Sequence, residues 1–539
     1  MRFLANFARK YTNLILIFCI LIAIGLHVFK LALPCLNADE AAFSYNAYSI
    51  AQTARDEYGT FIPFRLTSFG DNKLPVTSYI IAPFVKILGL NELSARLPFI
   101  LMGVISPLLF YILAKHLFKH KYTALFIAFL AAISPWIQIS SRHIHEDTII
   151  LTLSLVSLIF LVKLISQFSY RYVSIIALLI GLSFFTYHIG KVLGIYFFVA
   201  TTFVLYLKRR KQRGHWMKPI AILLIPLCIF AITEFVMPPT RVANLLFFKN
   251  EGFQMAIDEK LRENPVRIIH NKVTSSVIML THKYLTYFSP EFLVVKGDTN
   301  NRFGALGISP ITPVEYILFL IGLLYLFKNK HEYRYLILSF LLVSPLSSSL
   351  AWPENSLTRS FTEIIPLLLI SGYGGVELIR EFNQRKFQFL IGSLILGSII
   401  FFVFFTWEFY FYHYFRRPLT AFAWQCGYND LSVYIEENYD RFDTFYISKK
   451  HGQPYIFTLF YLKYSPEKYQ KEAKLGPVDE YGFGQVEGYD KFRFDFNDPN
   501  EKRTVYIGYP DDFKASGIEE SRFKKITYDD EVMFLIYEN

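Results

Sequence analysis

The feature that most constrains this chain is a series of apolar windows, each near the length that crosses a lipid bilayer. A hydrocarbon core about 30 Å thick takes roughly 20 consecutive apolar residues per helix. Windows approaching that length fall at 12–33, 94–114, 122–138, 148–166, 173–188, 193–207, 219–236, 314–327, 335–351, 361–378 and 388–408. With 539 residues, 53% of them hydrophobic and 18% aromatic, and a mean hydropathy of +0.32, the chain reads as a polytopic membrane protein. The expected fold is mainly α, with about eleven spans, because lipid tolerates only backbone that satisfies its own hydrogen bonds.

The first window follows Arg2, Arg9 and Lys10, as a signal peptide does. Its apolar run continues to Leu33 without an A-x-A cleavage pattern, so it reads as a retained anchor. Orientation follows from basic connectors, which collect in the cytoplasm. "KHLFKHK" (115–121), "KRRKQRGHWMK" (208–218), "KNKHEYR" (328–334) and "REFNQRK" (380–386) fall on one side if the N-terminus is inside. The external segments are then 34–93, 139–147, 188–192, 237–313, 352–360 and the chain after about 409. A multi-pass cell-membrane protein with an external C-terminal region is expected.

The formal charge of +11 is mostly this topology signal. Residues 409–539 carry 17 basic and 22 acidic side chains, so nucleic acid is not an expected partner. Two domains are expected: a membrane domain, 1–408, and a soluble external α/β domain, 409–539. The latter shows a polar helix around 429–439, a strand at 443–449, an aromatic amphipathic run at 455–464, and strands at 503–509 and 531–538. In the loop 34–93, "LPVTSYIIAPFVKILGL" (74–90) is interrupted by Pro83 and Lys86 and suits a helix lying in the membrane interface. No Walker motif, dinucleotide fingerprint or internal repeat occurs. The four cysteines lack metal spacing; Cys35 and Cys426 both fall outside, where a disulfide between them is open.

Ionisable residues concentrate in the external segments. These are Asp39, Glu40 and Lys73; then Arg142, His143, His145, Glu146 and Asp147; then His188 and Lys191; then Asp298, Asn301 and Arg302; and finally Glu354 and Arg359. Two readings of "LNADEAAFSYNAYSI" (36–50) stand side by side. Asn37 and Glu40 have capping-box spacing, with acids in a first helical turn; equally, a carboxylate at a helix start near cations suits a general base. In "SRHIHED", Arg142 and Glu146 have the spacing of a helix pair. His143 and His145, two apart, do not share a helical face, and no metal site is expected. Arg142, Lys191, Arg302, Arg359 and Lys73 offer cations to an anionic phosphate at headgroup depth.

These stretches resemble the polytopic glycosyltransferases of GT-C fold, in particular bacterial relatives of protein O-mannosyltransferases and aminoarabinose transferases. The resemblance rests on "NADEAAFSYNAYSI", "FGDNKLPVTSYIIAPFVKILGLNELSARLPFILMGV" (69–104), "SRHIHED", "TYHIGKV" (186–192), "YFSPEFLVVKGDTNNRFGALG" (287–307) and "SPLSSSLAWPENSLTRSFTEIIPLLL" (344–369). It implies transfer of a sugar from a polyprenyl-phosphate donor to a lipid, glycan or protein acceptor outside the membrane, with inversion and without a predicted cofactor. Carried over residue by residue, Asp39 becomes the general base, Glu40 its support and Glu146 the second acid, with Asp147 an adjacent competitor. Lys73 meets the donor phosphate, and Arg142, His188, Lys191, Arg302 and Arg359 contact phosphate or sugar. Leu74 replaces the first proline of the family's Lys-Pro-Pro, and Lys191 replaces an arginine, losing the planar fork. The alternative is a transporter or flippase of polyprenyl-linked glycans, which predicts ionisable groups at mid-membrane and paired halves.

Overall fold

The computed structural model describes residues 2–69, 71–208, 217–237, 250–263, 266–298, 300–304, 308–351, 355–450, 452–478, 484–494, 501–514 and 516–539. Most of the basic connector 208–218, part of the segment 237–313, and Glu354 lie outside them. Among the described residues, seven helices are long and apolar enough to cross a bilayer: Tyr11–Val28, Glu92–Phe118, Glu146–Ser166, His188–Lys208, Met217–Val236, Phe361–Glu381 and Arg385–Arg416. Four further expected spans form shorter helices, Lys121–Ile133, Tyr170–Phe184, Pro313–Lys328 and Arg334–Val343. The helix at 121 stops early because Ser134 leaves helical geometry ahead of Pro135, and its hydroxyl caps a separate helix, Pro135–Ser140.

The chain forms two compact units, residues 1–31 with 99–412, and residues 32–98 with 413–539. The segment 32–98 thus clusters with the C-terminal region rather than with the helices that flank it in sequence. In the first unit, helices Pro313–Lys328 and Ile364–Glu381 approach through glycine. A Cβ on Gly322 would stand 2.1 Å from the Ile370 carbonyl oxygen, and one on Gly374 would stand 2.2 Å from that of Leu318. Small residues permit this contact where no hydrophobic effect drives helices together.

In the second unit, a hairpin pairs β1 (Leu66–Ser68) with β2 (Asp71–Lys73). A helix forms at Val76–Leu88, within the stretch 74–90 expected to lie in the interface. The C-terminal region holds a seven-stranded sheet built from β3 (Thr444–Ile447), β4 (Lys474–Val478), β5 (Gly484–Tyr489), β6 (Phe492–Arg493), β7 (Thr504–Gly508), β8 (Lys524–Tyr528) and β9 (Glu531–Glu538). Their order is β4-β5-β6-β3-β7-β9-β8. β3 runs parallel to β6 and β7, and the remaining pairs are antiparallel. Every residue of the inner strand β7 is buried, as its unbroken apolar run requires. The polar helix forms at Tyr428–Asn438, and the aromatic run becomes the buried helix Pro454–Tyr461. Cys35 and Cys426 form a disulfide within this unit.

Candidate active site

The acids quoted first sit where a cap puts them. Asn37 Oδ1 accepts the amides of Asp39 (3.0 Å) and Glu40 (3.2 Å), and Glu40 Oε2 accepts the Asn37 amide (3.3 Å), completing a capping box on the helix Ala38–Thr53. The two carboxylates then part. Glu40 is fully buried and receives the Arg96 fork, Nε to Oε1 at 2.9 Å and Nη2 to Oε2 at 2.8 Å. Arg96 also donates to the Pro34 carbonyl (2.9 Å) and lies 3.4 Å from Glu92, so its planar donors are shared among three acceptors. Asp39, one residue earlier, points to the other side with its side chain 53% exposed.

Asp39 Oδ1 meets Lys73 Nζ at 2.8 Å. Lys73 closes β2, opposite Leu66, and its ammonium lies 4.4 Å from the ring centre of Phe69 and 4.8 Å from that of Phe43. Two aromatic faces hold a cation by its field without consuming its hydrogen bonds. Phe69 reaches that place through left-handed backbone, φ 55°, which costs a non-glycine residue roughly 1–2 kcal/mol. The hairpin turn accepts this strain, and the ring is buried against the lysine.

Behind the hairpin lies a carboxylate that sequence reasoning missed. Glu57 is fully buried; its Oε2 accepts from Asn46 Nδ2 (3.0 Å), its Oε1 from the Tyr455 phenol (3.0 Å), and its amide donates to Asn46 Oδ1 (3.0 Å). Burial pushes its pKa up to about 8, against smaller lowering by the Tyr455 hydrogen bond and the Lys73 charge. In sequence it is one acid in "ARDEYGT", with nothing to separate it from a surface loop.

The other unit holds the second group of candidates. Arg142 lies in the turn between helices Pro135–Ser140 and Glu146–Ser166. Its guanidinium is buried and donates to the carbonyls of Leu26, His27 (3.0 Å), Phe29 (3.0 Å) and Lys30 (2.7 Å). These are orphan acceptors at the end of the first helix, so Arg142 caps that helix, and it lies outside the helix that Glu146 begins. His145 caps the next helix: Nδ1 accepts the Asp147 amide (3.3 Å) and lies 3.1 Å from Asp147 Oδ1. Asp147 is fully buried, while the Glu146 side chain is 16% exposed. The His145 ring meets Tyr187 and Phe303 edge-on, at 5.5 and 5.4 Å. Among the described residues no cluster of three metal-ligating side chains occurs.

Tyr187 is where several candidates converge. Burial pushes its pKa up to about 12, the Arg359 charge lowers it, and Glu146 and Asp147 raise it, so all three charges lie within its electrostatic reach. The His188 ring stands 6.0 Å from that of Tyr187. Lys191 is placed differently: its Nζ pairs with Glu234 Oε1 at 2.8 Å, an acid the sequence reading did not weigh. Asp298 joins the loop of Arg302 to the turn of Arg359, Oδ1 accepting the Asn300 amide (2.9 Å) and Oδ2 that of Leu357 (2.8 Å). Gly304 lets that loop close, since a Cβ there would stand 1.9 Å from the Asp298 carbonyl oxygen.

With this geometry in place, the architecture can be matched. No curated protein matches the chain. Among solved structures, ArnT from Cupriavidus metallidurans in the apo state matches 98% of this chain and 98% of that chain at 12% identity, TM-score 0.52. The same protein bound to undecaprenyl phosphate matches 96% of this chain and 97% of that chain, also at 12% identity and TM-score 0.52. The fold is therefore the GT-C fold of a multi-pass membrane protein. Residues 72–237 match the family described as dolichyl-phosphate-mannose-protein mannosyltransferase. The resemblance to the mannosyltransferase and ArnT groups that the motifs implied is thus borne out.

Proposed function

We propose that this protein is a glycosyltransferase that moves a sugar from a polyprenyl-phosphate donor to an acceptor on the outer face of the membrane, inverting the anomeric centre. The observation that carries the reading is the contact between Asp39 and Lys73. A half-exposed carboxylate and a cation braced by two aromatic faces meet at a rigid helix start.

A lipid phosphate leaves readily, so the enzyme's task is to take the acceptor's proton and stabilise the departing anion. When the donor phosphate approaches Lys73, the ammonium turns from Asp39 to the phosphate, and the freed carboxylate becomes a base. The acceptor O–H or N–H gives its proton to Asp39, the new bond forms at the anomeric carbon, and the carbon–oxygen bond to phosphate breaks with its electron pair going to phosphate. Phe43 and Phe69 hold the lysine while its partner changes; cation–π contacts of this kind contribute about 0.5–2 kcal/mol. Glu40, tied to Arg96, positions the helix start. Glu146 with His188, Arg302 and Arg359 forms a second set, assigned to the sugar or acceptor. The orientation assigned here is N-terminus inside and residues 409–539 outside.

Proteoliposomes loaded with a labelled polyprenyl-phosphate sugar and candidate acceptors test the reading. A glycosidic product of inverted configuration is expected. Movement of labelled lipid across the bilayer with no glycosidic bond formed would instead assign a flippase.

A further inference from the structure

Tyr455 of the C-terminal region contacts both Phe69, in the turn of the hairpin that carries Lys73, and the buried Glu57. The helix Pro454–Tyr461 packs on the helix Ala38–Thr53. From its first turn, Tyr455, only 1% exposed, donates its phenol to Glu57 and sets its ring edge-on to Phe69, with ring centres 6.0 Å apart. Phe69 is the residue whose left-handed backbone brings its ring under the Lys73 ammonium. Glu57 in turn fixes Asn46, two helical turns beyond Asp39 on the same helix. One side chain of the C-terminal domain therefore braces both halves of the Asp39–Lys73 pair.

We infer that Tyr455 and Glu57 are positioning residues for the donor phosphate, through which the C-terminal domain sets where Lys73 stands. The inference rests on the assignment of Lys73 to that phosphate. The charged and titratable groups facing Glu57 are Asp56, Lys73, Tyr58, Tyr45, Tyr455 and Tyr469. Lys73 is the cation among them. Below about pH 8 a protonated Glu57 leaves the lysine's charge to Asp39 or phosphate. Above it, the ionised carboxylate competes for the same ammonium, and donor affinity falls.

The test uses the full-length protein in nanodiscs, with binding of labelled polyprenyl phosphate and donor KM against kcat as readouts. Tyr455→Ala is expected to raise donor KM about fivefold, the size of one lost cation-supporting aromatic contact, with kcat within about twofold. Tyr455→Phe keeps the ring and removes only the Glu57 bond, so a smaller rise is expected. Glu57→Gln, which cannot ionise, should lose the decline in donor binding above pH 8. Should Tyr455→Ala not fold, judged by melting and by the Cys35–Cys426 bond on non-reducing gels, the Phe and Gln variants decide. Wild-type binding that does not depend on Lys73 overturns the phosphate assignment itself. Binding that depends on Lys73 but is unmoved in the Tyr455 variants, with an unchanged pH profile in Glu57→Gln, overturns the positioning role alone.

Discussion

Two helix starts in this protein carry the same sequence device and use it differently. Asn37 caps one helix with Asp39 and Glu40 in its first turn; His145 caps another with Glu146 and Asp147. At each, one acid is fully buried, Glu40 or Asp147, and its neighbour is the more exposed. At the first the buried acid is matched by a bidentate arginine, leaving Asp39 half in solvent against a lysine. At the second the buried acid lies 3.1 Å from the capping histidine ring, and its Oδ2 has no hydrogen-bond partner among the described residues. Adjacent acids at a helix start are thus separated by burial: one is enclosed, and the other is the more exposed.

The largest effect that tests this contrast is on turnover. Asp39→Asn should lower sugar transfer by about 10³-fold, within the range for loss of a general base, while Glu146→Gln lowers it less; the reverse order, measured with labelled donor, would move the base to the second helix start. Next is stability. Arg96→Met strands the Glu40 carboxylate and should cost about 3–5 kcal/mol, read as a lower melting temperature in detergent, with Glu40→Gln added to recover part of it. A matching loss in donor binding alone would break the division of roles.

A pH series tests the surroundings of the first start. Glu57 has a folded pKa raised from 4.5 to about 8, so the folded state holds a proton that the unfolded chain releases. Its contribution to stability is present below pH 4.5 and is lost as pH rises through 8. Melting temperature should fall over that window, and Glu57→Gln should flatten the slope. At the second start, His145→Ala removes a cap and should cost about 1 kcal/mol, lowering the melting temperature of the wild type only slightly. The smallest effect belongs to Lys191→Met. Its pair with Glu234 is partly exposed and contributes about 1 kcal/mol at most, so donor KM should hold within about twofold; a tenfold rise would return Lys191 to the phosphate.

Much of this was legible in sequence because it depends on spacing. The capping box at Asn37 and Glu40, the helix after Pro75, the helix Tyr428–Asn438 and the strands β3, β7 and β9 follow from local patterns, while β4, β5, β6 and β8 were not read. What escaped depends on partners far along the chain. Arg96 was visible in "SARLPF", yet its role exists only because Glu40, 56 residues earlier, is buried against it. Glu234 sits in an apolar run where one acid reads as a span boundary, and Glu57 in a polar stretch that reads as loop. The cations followed the same rule. For Arg142 and Lys191, sequence shows a charge and not the carbonyls or the carboxylate that each contacts.

The division of the chain into units has a consequence for its biosynthesis. Residues 32–98 emerge early, but the rest of their unit begins at 413. Cys35 must wait 391 residues for its partner, roughly 20–80 s at ribosomal speeds of about 5–20 residues per second. Through that interval the Asp39 helix and the Lys73 hairpin lack the surface that completes them, so their unit is incomplete until residues 413–539 follow the last long apolar helix. Insertion of the helices and maturation of the proposed catalytic pair are thereby set in a fixed order.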